Sequence, residues 1–232
     1  MGGAGESGET AMREAAFMGE VTASITHEVQ NVLAIIQQSA GLMGDLLDLS
    51  RKESLKSLGF RKGFQYHDKF ATLIAAIGEQ VERGSNLSDG LNRLAHVPDT
   101  QAGTTDLRRS ARLLFSLIGR IARKRRVEFV LDPGDGECQA QCPPMQALMA
   151  LYGVARTLID GLSGCAVRVA VHAPEGGPVV DFILPEGGEG TPPLSLPASP
   201  GGGEGAGDPC ATCLADRVRL AFPPCPAAMA GD

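Results

Sequence analysis

Two long stretches without proline, residues 11–51 and 67–96, carry apolar side chains at three- and four-residue steps. The first has Val21, Ile25, Val32, Ile36 and Leu46 or Leu47 on one stripe. The second has Phe70, Leu73, Ile74, Ile77, Val81, Leu87, Leu91 and Leu94, and Pro98 closes it. This spacing predicts two amphipathic α-helices. At the rise of an α-helix they make a hairpin about 45–60 Å long. Residues 52–66, basic and broken by Gly59 and Gly63, read as the connection. Gly19, Gly41 and Gly44 weaken the first helix by about 1 kcal/mol each relative to alanine, so packing must offset them. One hairpin cannot bury both apolar stripes. The economical solution is two hairpins in a four-helix bundle, a homodimer formed through residues 11–97.

Beyond the polar linker at 99–103 the rhythm changes. Thr105-Asp106 has the chemistry of a helix N-cap, and a helix follows from Leu107 to Arg125. Strands are expected at 127–131, 166–171, 179–184 and 217–222, with a short one near 138–142 and a helix over 145–162. The 166–171 and 179–184 strands flank a Gly/Pro turn and predict an antiparallel hairpin. The expected class is therefore α+β. A helical-hairpin domain at 11–98 precedes an α/β sandwich at 104–225 with helices on one sheet face. Residues 1–10 read as disordered, and about 187–207, rich in Gly, Pro and Ser, as a mobile loop.

Composition narrows the function classes. Aromatics are scarce, with eight Phe, two Tyr and no Trp, so the cores must be aliphatic. A net charge of −6 argues against nucleic acid and anionic membranes as partners. The one basic run, Arg120 to Arg126, reads as a helix end set favourably against the helix dipole. Neither a signal peptide nor an 18-residue apolar run is present, which gives a cytoplasmic expectation. The six cysteines are then free thiols. Cys210 and Cys213 have the spacing of half a zinc site, but a full site would need Cys138 and Cys142, so no metal site is expected.

The chemistry concentrates at Ser24-Ile-Thr-His27-Glu28-Val-Gln30-Asn31. His27 lies two residues from both Ile25 and Val29, roughly 160° around the helix from each. Its own face, Glu20, Ala23, Ser24, Gln30, Asn31, Ala34 and Gln38, is polar or small. A neutral imidazole held in water is nucleophilic near pH 7. Glu28 could accept the proton of one ring nitrogen and leave the other as nucleophile. His67, His96 and His172 lie at helix ends or in a strand and read as ordinary surface histidines.

The order Ser24-x-x-His27-Glu28-x-x-Asn31, helical hairpin, then helix-plus-sheet domain resembles the dimerisation and phosphoacceptor module of two-component histidine kinases. The resemblance covers residues 11–222. It implies that His27 accepts a phosphoryl group, that Glu28 is its acid/base partner and that Asn31 positions water or phosphate. Kinases of this family hold magnesium and ATP through an asparagine-rich helix. Here the matching helix carries Tyr152 and Arg156, and an arginine cannot ligate a cation. The adenine-reading turn of the family is matched by Glu186, Gly188 and Gly190, with glutamate in place of aspartate. The nucleotide site thus looks vestigial, as in the dimeric histidine phosphotransferases.

The resulting expectation is a histidine phosphotransferase of a phosphorelay, passing phosphoryl between His27 and receiver aspartates. It would have no ATP cofactor of its own, and its magnesium would come from the receiver. Ser24, Gln30 and Ala34 would line the docking surface. The alternatives are an active sensor histidine kinase with a divergent ATP site, and a non-catalytic module that docks on a kinase or response regulator.

Overall fold

The computed structural model describes residues 3–56, 66–99, 103–134, 136–185 and 208–225. Helix α1 spans Gly3–Lys56 and α2 spans His67–Ala95. β1 (Thr105–Asp106), α3 (Leu107–Lys124), β2 (Val127–Leu131), β3 (Gln139–Ala140) and α4 (Pro144–Gly161) follow. β4 (Cys165–His172), β5 (Val179–Ile183), β6 (Cys210–Cys213) and β7 (Arg217–Ala221) complete the chain. The fold is α+β. Helix α1 begins at Gly3, so residues 3–10 are helical where the sequence predicts disorder.

The chain divides into two units, Ile25–Asp89 and the remainder. The first is the helical hairpin. Its seam on α1 is Ile25, Glu28, Val32, Ile36, Ser39, Met43, Leu46 and Ser50, at steps of three and four. On α2 the matching stripe is Phe70, Leu73, Ile77, Gln80, Gly84 and Leu87. These are coiled-coil-like repeats. A window within Gly8–Glu53 of α1 reaches a mean hydropathy of 1.2, enough by length and composition to cross a bilayer, which differs from the sequence expectation. The amides of Gln30, Asn31, Gln37 and Gln38 lie exposed along that helix. In hydrocarbon each would go without its water partners.

The second unit is a two-layer sandwich. Its five-stranded sheet has the order β2-β4-β5-β7-β6, with β2 and β4 parallel and the other pairs antiparallel. α3 and α4 lie on one face, against Val167, Val169, Val180, Phe182, Val218 and Leu220, all fully buried. Phe182 meets the rings of Phe115 and Phe129 edge-on, each at 6.2 Å. Asp106 caps α3, its carboxylate accepting from the backbone N–H of Arg108 at 3.0 Å, as the sequence predicts. Arg108 then donates to the carbonyls of Asp132 and Val171, which ties the start of α3 to the sheet. Gly177, at φ 111°, turns β4 into β5 where a side chain would press on the Phe222 carbonyl.

Residues 11–24 and 90–98, expected within the hairpin domain, group with the sandwich instead. The physical reason is local packing. Phe17 is buried and meets the Tyr152 ring of α4 at 5.1 Å. Gly90 leaves room for Leu117, which an added Cβ would meet at 2.7 Å. β6 was not foreseen: Cys210–Cys213 pairs with β7 as an edge strand. Three residues apart on a strand, the two thiols point to opposite faces, which argues against their closing on one zinc ion. Among the described residues no group of three or more His, Cys, Asp or Glu side chains is arranged to hold a metal.

Candidate functional site

His27 lies exposed midway along α1. Gln30, Asn31 and Ala34 are exposed on the same helix, giving an open, small-residue face around the imidazole. Helical periodicity produces this directly, because the seam takes Ile25, Glu28 and Val32 inward.

Two neighbours of His27 are placed differently from the sequence reading. Ser24 is only 8% exposed, and its Oγ is buried with no hydrogen-bond partner among the described residues. It belongs to the inward side of α1 and leaves the expected docking surface. Glu28 is buried as well. Its carboxylate forms an ion pair with Arg83 of α2, 55 residues away in sequence. The sequence reading sets Glu28 beside His27 as a proton acceptor. In the fold this carboxylate faces the hairpin seam, while the imidazole faces water. Arg83 was missed entirely. The signal that could have found it is Glu28 itself, a charge in an apolar repeat that needs a cation from the facing helix.

Near this pair the Val32 side chain packs against Gly84 of α2. A Cβ on Gly84 would lie 3.3 Å from Cγ1 of Val32. Gln80, one turn earlier on α2, buries its Oε1 with no hydrogen-bond partner among the described residues.

The helix expected to match the nucleotide-binding element is α4. Its Tyr152 is buried against Phe17, and burial together with the Glu20 carboxylate pushes the phenol pKa up. Arg156 Nε lies 3.5 Å from Glu20 and 3.4 Å from Asp160. Tyr152 and Arg156 therefore form a seat for Phe17 and Glu20 of α1. Glu186, Gly188 and Gly190 lie outside the described residues. The cysteine thiols near α4 are not poised as nucleophiles: burial pushes Cys142 up to about 12, with Asp208 adding to it, and burial also raises Cys138.

On the sheet face away from the helices Asp181 is fully buried. Arg219 binds it through two 2.8 Å hydrogen bonds, with Arg217 at 3.6 Å and His172 at 3.5 Å. Burial works to raise its pKa, but the Arg219 hydrogen bonds and the surrounding positive charges outweigh it and hold the carboxyl below its ordinary value. His172 thus has a carboxylate partner, and His96 has another in Asp99 at 3.1 Å.

No protein-family model matches the sequence, and no curated protein matches it. Solved structures do. In structure the chain is similar to histidine kinases and to a bacterial phosphotransferase. The phosphotransferase is 12% identical, with 89% of this chain and 95% of that one covered at a TM-score of 0.41. The Acinetobacter baumannii histidine kinase AdeS is 12% identical over 84% of this chain and 98% of its own, at 0.38. The histidine kinase ThkA, solved in complex with the response regulator TrrA, is 14% identical over 90% of this chain and 61% of its own, also at 0.38.

Proposed function

We propose that this chain is a homodimeric histidine phosphotransferase of a two-component phosphorelay, working in the cytoplasm without kinase chemistry of its own. The observation that carries the reading is the contrast between two helices. α1 presents an exposed His27 on an open face. α4 uses Tyr152 and Arg156 to seat Phe17 and Glu20 of its own chain. In the resemblance those α4 positions would hold magnesium and ATP.

The transfer is simple to balance. A lone pair on one His27 ring nitrogen attacks the phosphorus of an aspartyl phosphate. The N–P bond forms as the P–O bond to the carboxylate breaks, and the free carboxylate leaves. The other ring nitrogen keeps its proton or gives it to water. The reverse path loads a second receiver. What this chain supplies is position, and the receiver supplies magnesium. Gln30, Asn31 and Ala34 give the receiver access along α1.

Homodimer formation is supported by the apolar side chains the hairpin leaves open. Ile35, Leu42 and Leu49 recur every seven residues on α1, and Ile74 and Val81 do so on α2, with exposures from 41% (Ile35) to 57% (Ile74). Such a patch marks an interaction face.

The test offers phosphorylated receiver proteins to wild type and to His27→Ala and follows acid-labile label. Wild type is expected to take label and His27→Ala none, with equal labelling of the two as the result that sinks the proposal. Calorimetry with magnesium-ATP separates relay from kinase, since an active kinase would show micromolar binding.

A further inference from the structure

The proposed transfer needs no general base on this chain, because the displaced carboxylate leaves as an anion and the exposed ring can release its proton to water. That leaves the buried Glu28 without a chemical task, and its position calls for another explanation. We infer that Arg83 is a positioning residue for His27 and acts through Glu28. The inference rests on His27 being the phosphoacceptor, as proposed above.

Glu28 occupies a seam position whose neighbours in the repeat are Ile25, Val32 and Ile36. An apolar side chain there would pack at least as well, since buried ion pairs seldom add stability over hydrophobic replacements. What a single buried polar pair does in a helical seam is select one register, because any slip strands the charge without its partner. Arg83 meets that charge from α2 with its side chain 44% exposed, so only the carboxylate is fully withdrawn from water. Gly84, next in sequence to Arg83, lies against the Val32 side chain, and a bulkier residue there would displace it. Pair and close contact together hold α1 at one rotation against α2.

Rotation matters because His27 and Glu28 are consecutive. Adjacent side chains on a helix differ by about 100° in direction. Fixing Glu28 inward therefore fixes His27 outward. A helix free to rotate or slip by one position would carry the imidazole off the open face formed with Gln30, Asn31 and Ala34. Transfer between two proteins depends steeply on such alignment; a misplacement of about 1 Å can cost on the order of 100-fold in rate.

The experiment measures phosphoryl transfer from a phosphorylated receiver to the full chain, at a temperature where circular dichroism shows every variant folded. Arg83→Met and Glu28→Gln are each expected to slow transfer about 10-fold at saturating receiver, with the half-saturating receiver concentration unchanged. The double variant is expected to be no slower than either single, and Arg83→Lys to recover most of the rate. All variants should keep the wild-type pH profile. Multiplicative losses in the double variant, or a Glu28→Gln loss far deeper than that of Arg83→Met with an altered acid limb, would show that Glu28 acts on protons and overturn the inference. If wild type takes no label at all, the phosphotransfer reading fails by itself. The clamp is then read from melting temperatures, where the double variant should shift no more than one single variant, and additive shifts would refute it.

Discussion

The hairpin and the sandwich each bury one carboxylate against arginine, and they do so to different ends. In the hairpin, Glu28 sits in an apolar seam with Arg83 reaching over from the facing helix. Beside that seam Ile35, Leu42 and Leu49 remain open to solvent. In the sandwich, Asp181 is ringed by Arg219, Arg217 and His172 on a sheet whose opposite face is a closed aliphatic and phenylalanine core. One region satisfies its apolar groups within itself. The other leaves several of them open to solvent and buries a charge among the rest. The exposed imidazole of His27 and the uncovered apolar side chains both lie in the hairpin.

The sharpest way to break this contrast is at Phe182. It is fully buried between Phe115 and Phe129, so Phe182→Ala is expected to cost about 3–5 kcal/mol of sandwich stability. Segment-resolved hydrogen exchange would show amide protection lost in β4, β5 and β7, and retained in residues 67–89. A uniform loss across both regions would mean that they unfold as one body.

A second change addresses the open face. Leu42→Lys places a charge in the exposed repeat, where it costs the isolated hairpin little because Leu42 is already 46% exposed. If a second copy covers that face, sedimentation should show the dimer dissociating at concentrations at least 10-fold higher than for wild type. An unchanged mass at every concentration would put the interface elsewhere.

The smallest effect is an acid limb. The Asp181 carboxyl has its pKa lowered in the fold relative to an unfolded value near 3.9. The folded state thus binds this proton less readily than the unfolded state. The stability it contributes is fully present above that unfolded value and is lost as pH falls through the lower folded one. Asp216, lowered by its hydrogen bond to Arg217, acts in the same sense. Denaturant melts of the sandwich should weaken below about pH 4, and Asp181→Asn should flatten that dependence. A wild-type sandwich with no acid limb would contradict the ion cluster.

Much of this was legible from residue order. The three-and-four spacing of apolar residues marked α1 and α2, Pro98 marked the end of the second, and Asp106 announced the cap of α3. Alternation and the Gly/Pro turn marked β4 and β5. β6 was not legible, because Cys210-Ala-Thr-Cys213 has little strand propensity and is ordered by pairing with β7. The helical start at Gly3 also went against local composition, since glycines at positions 3, 5 and 8 discourage a helix taken alone.

His27 on an open helical face follows from periodicity, which is a property of the chain itself: the same 3.6-residue turn that gathers Ile25 and Val32 sends the imidazole the other way. What Glu28 and Ser24 meet could not be read that way. Ser24 lies at the border between the two faces. Glu28 sits in the apolar repeat itself, three residues after Ile25 and four before Val32, and what it meets there depends on the packed surroundings. For Glu28 it was decided by Arg83, a residue 55 positions later that only the closed hairpin brings alongside. Likewise the sequence marked Tyr152 and Arg156 as departures from a nucleotide-binding helix, while only the packing of Phe17 and Glu20 against them assigns those side chains a use. Local order determines which face a side chain occupies, and long-range contact determines what it meets there.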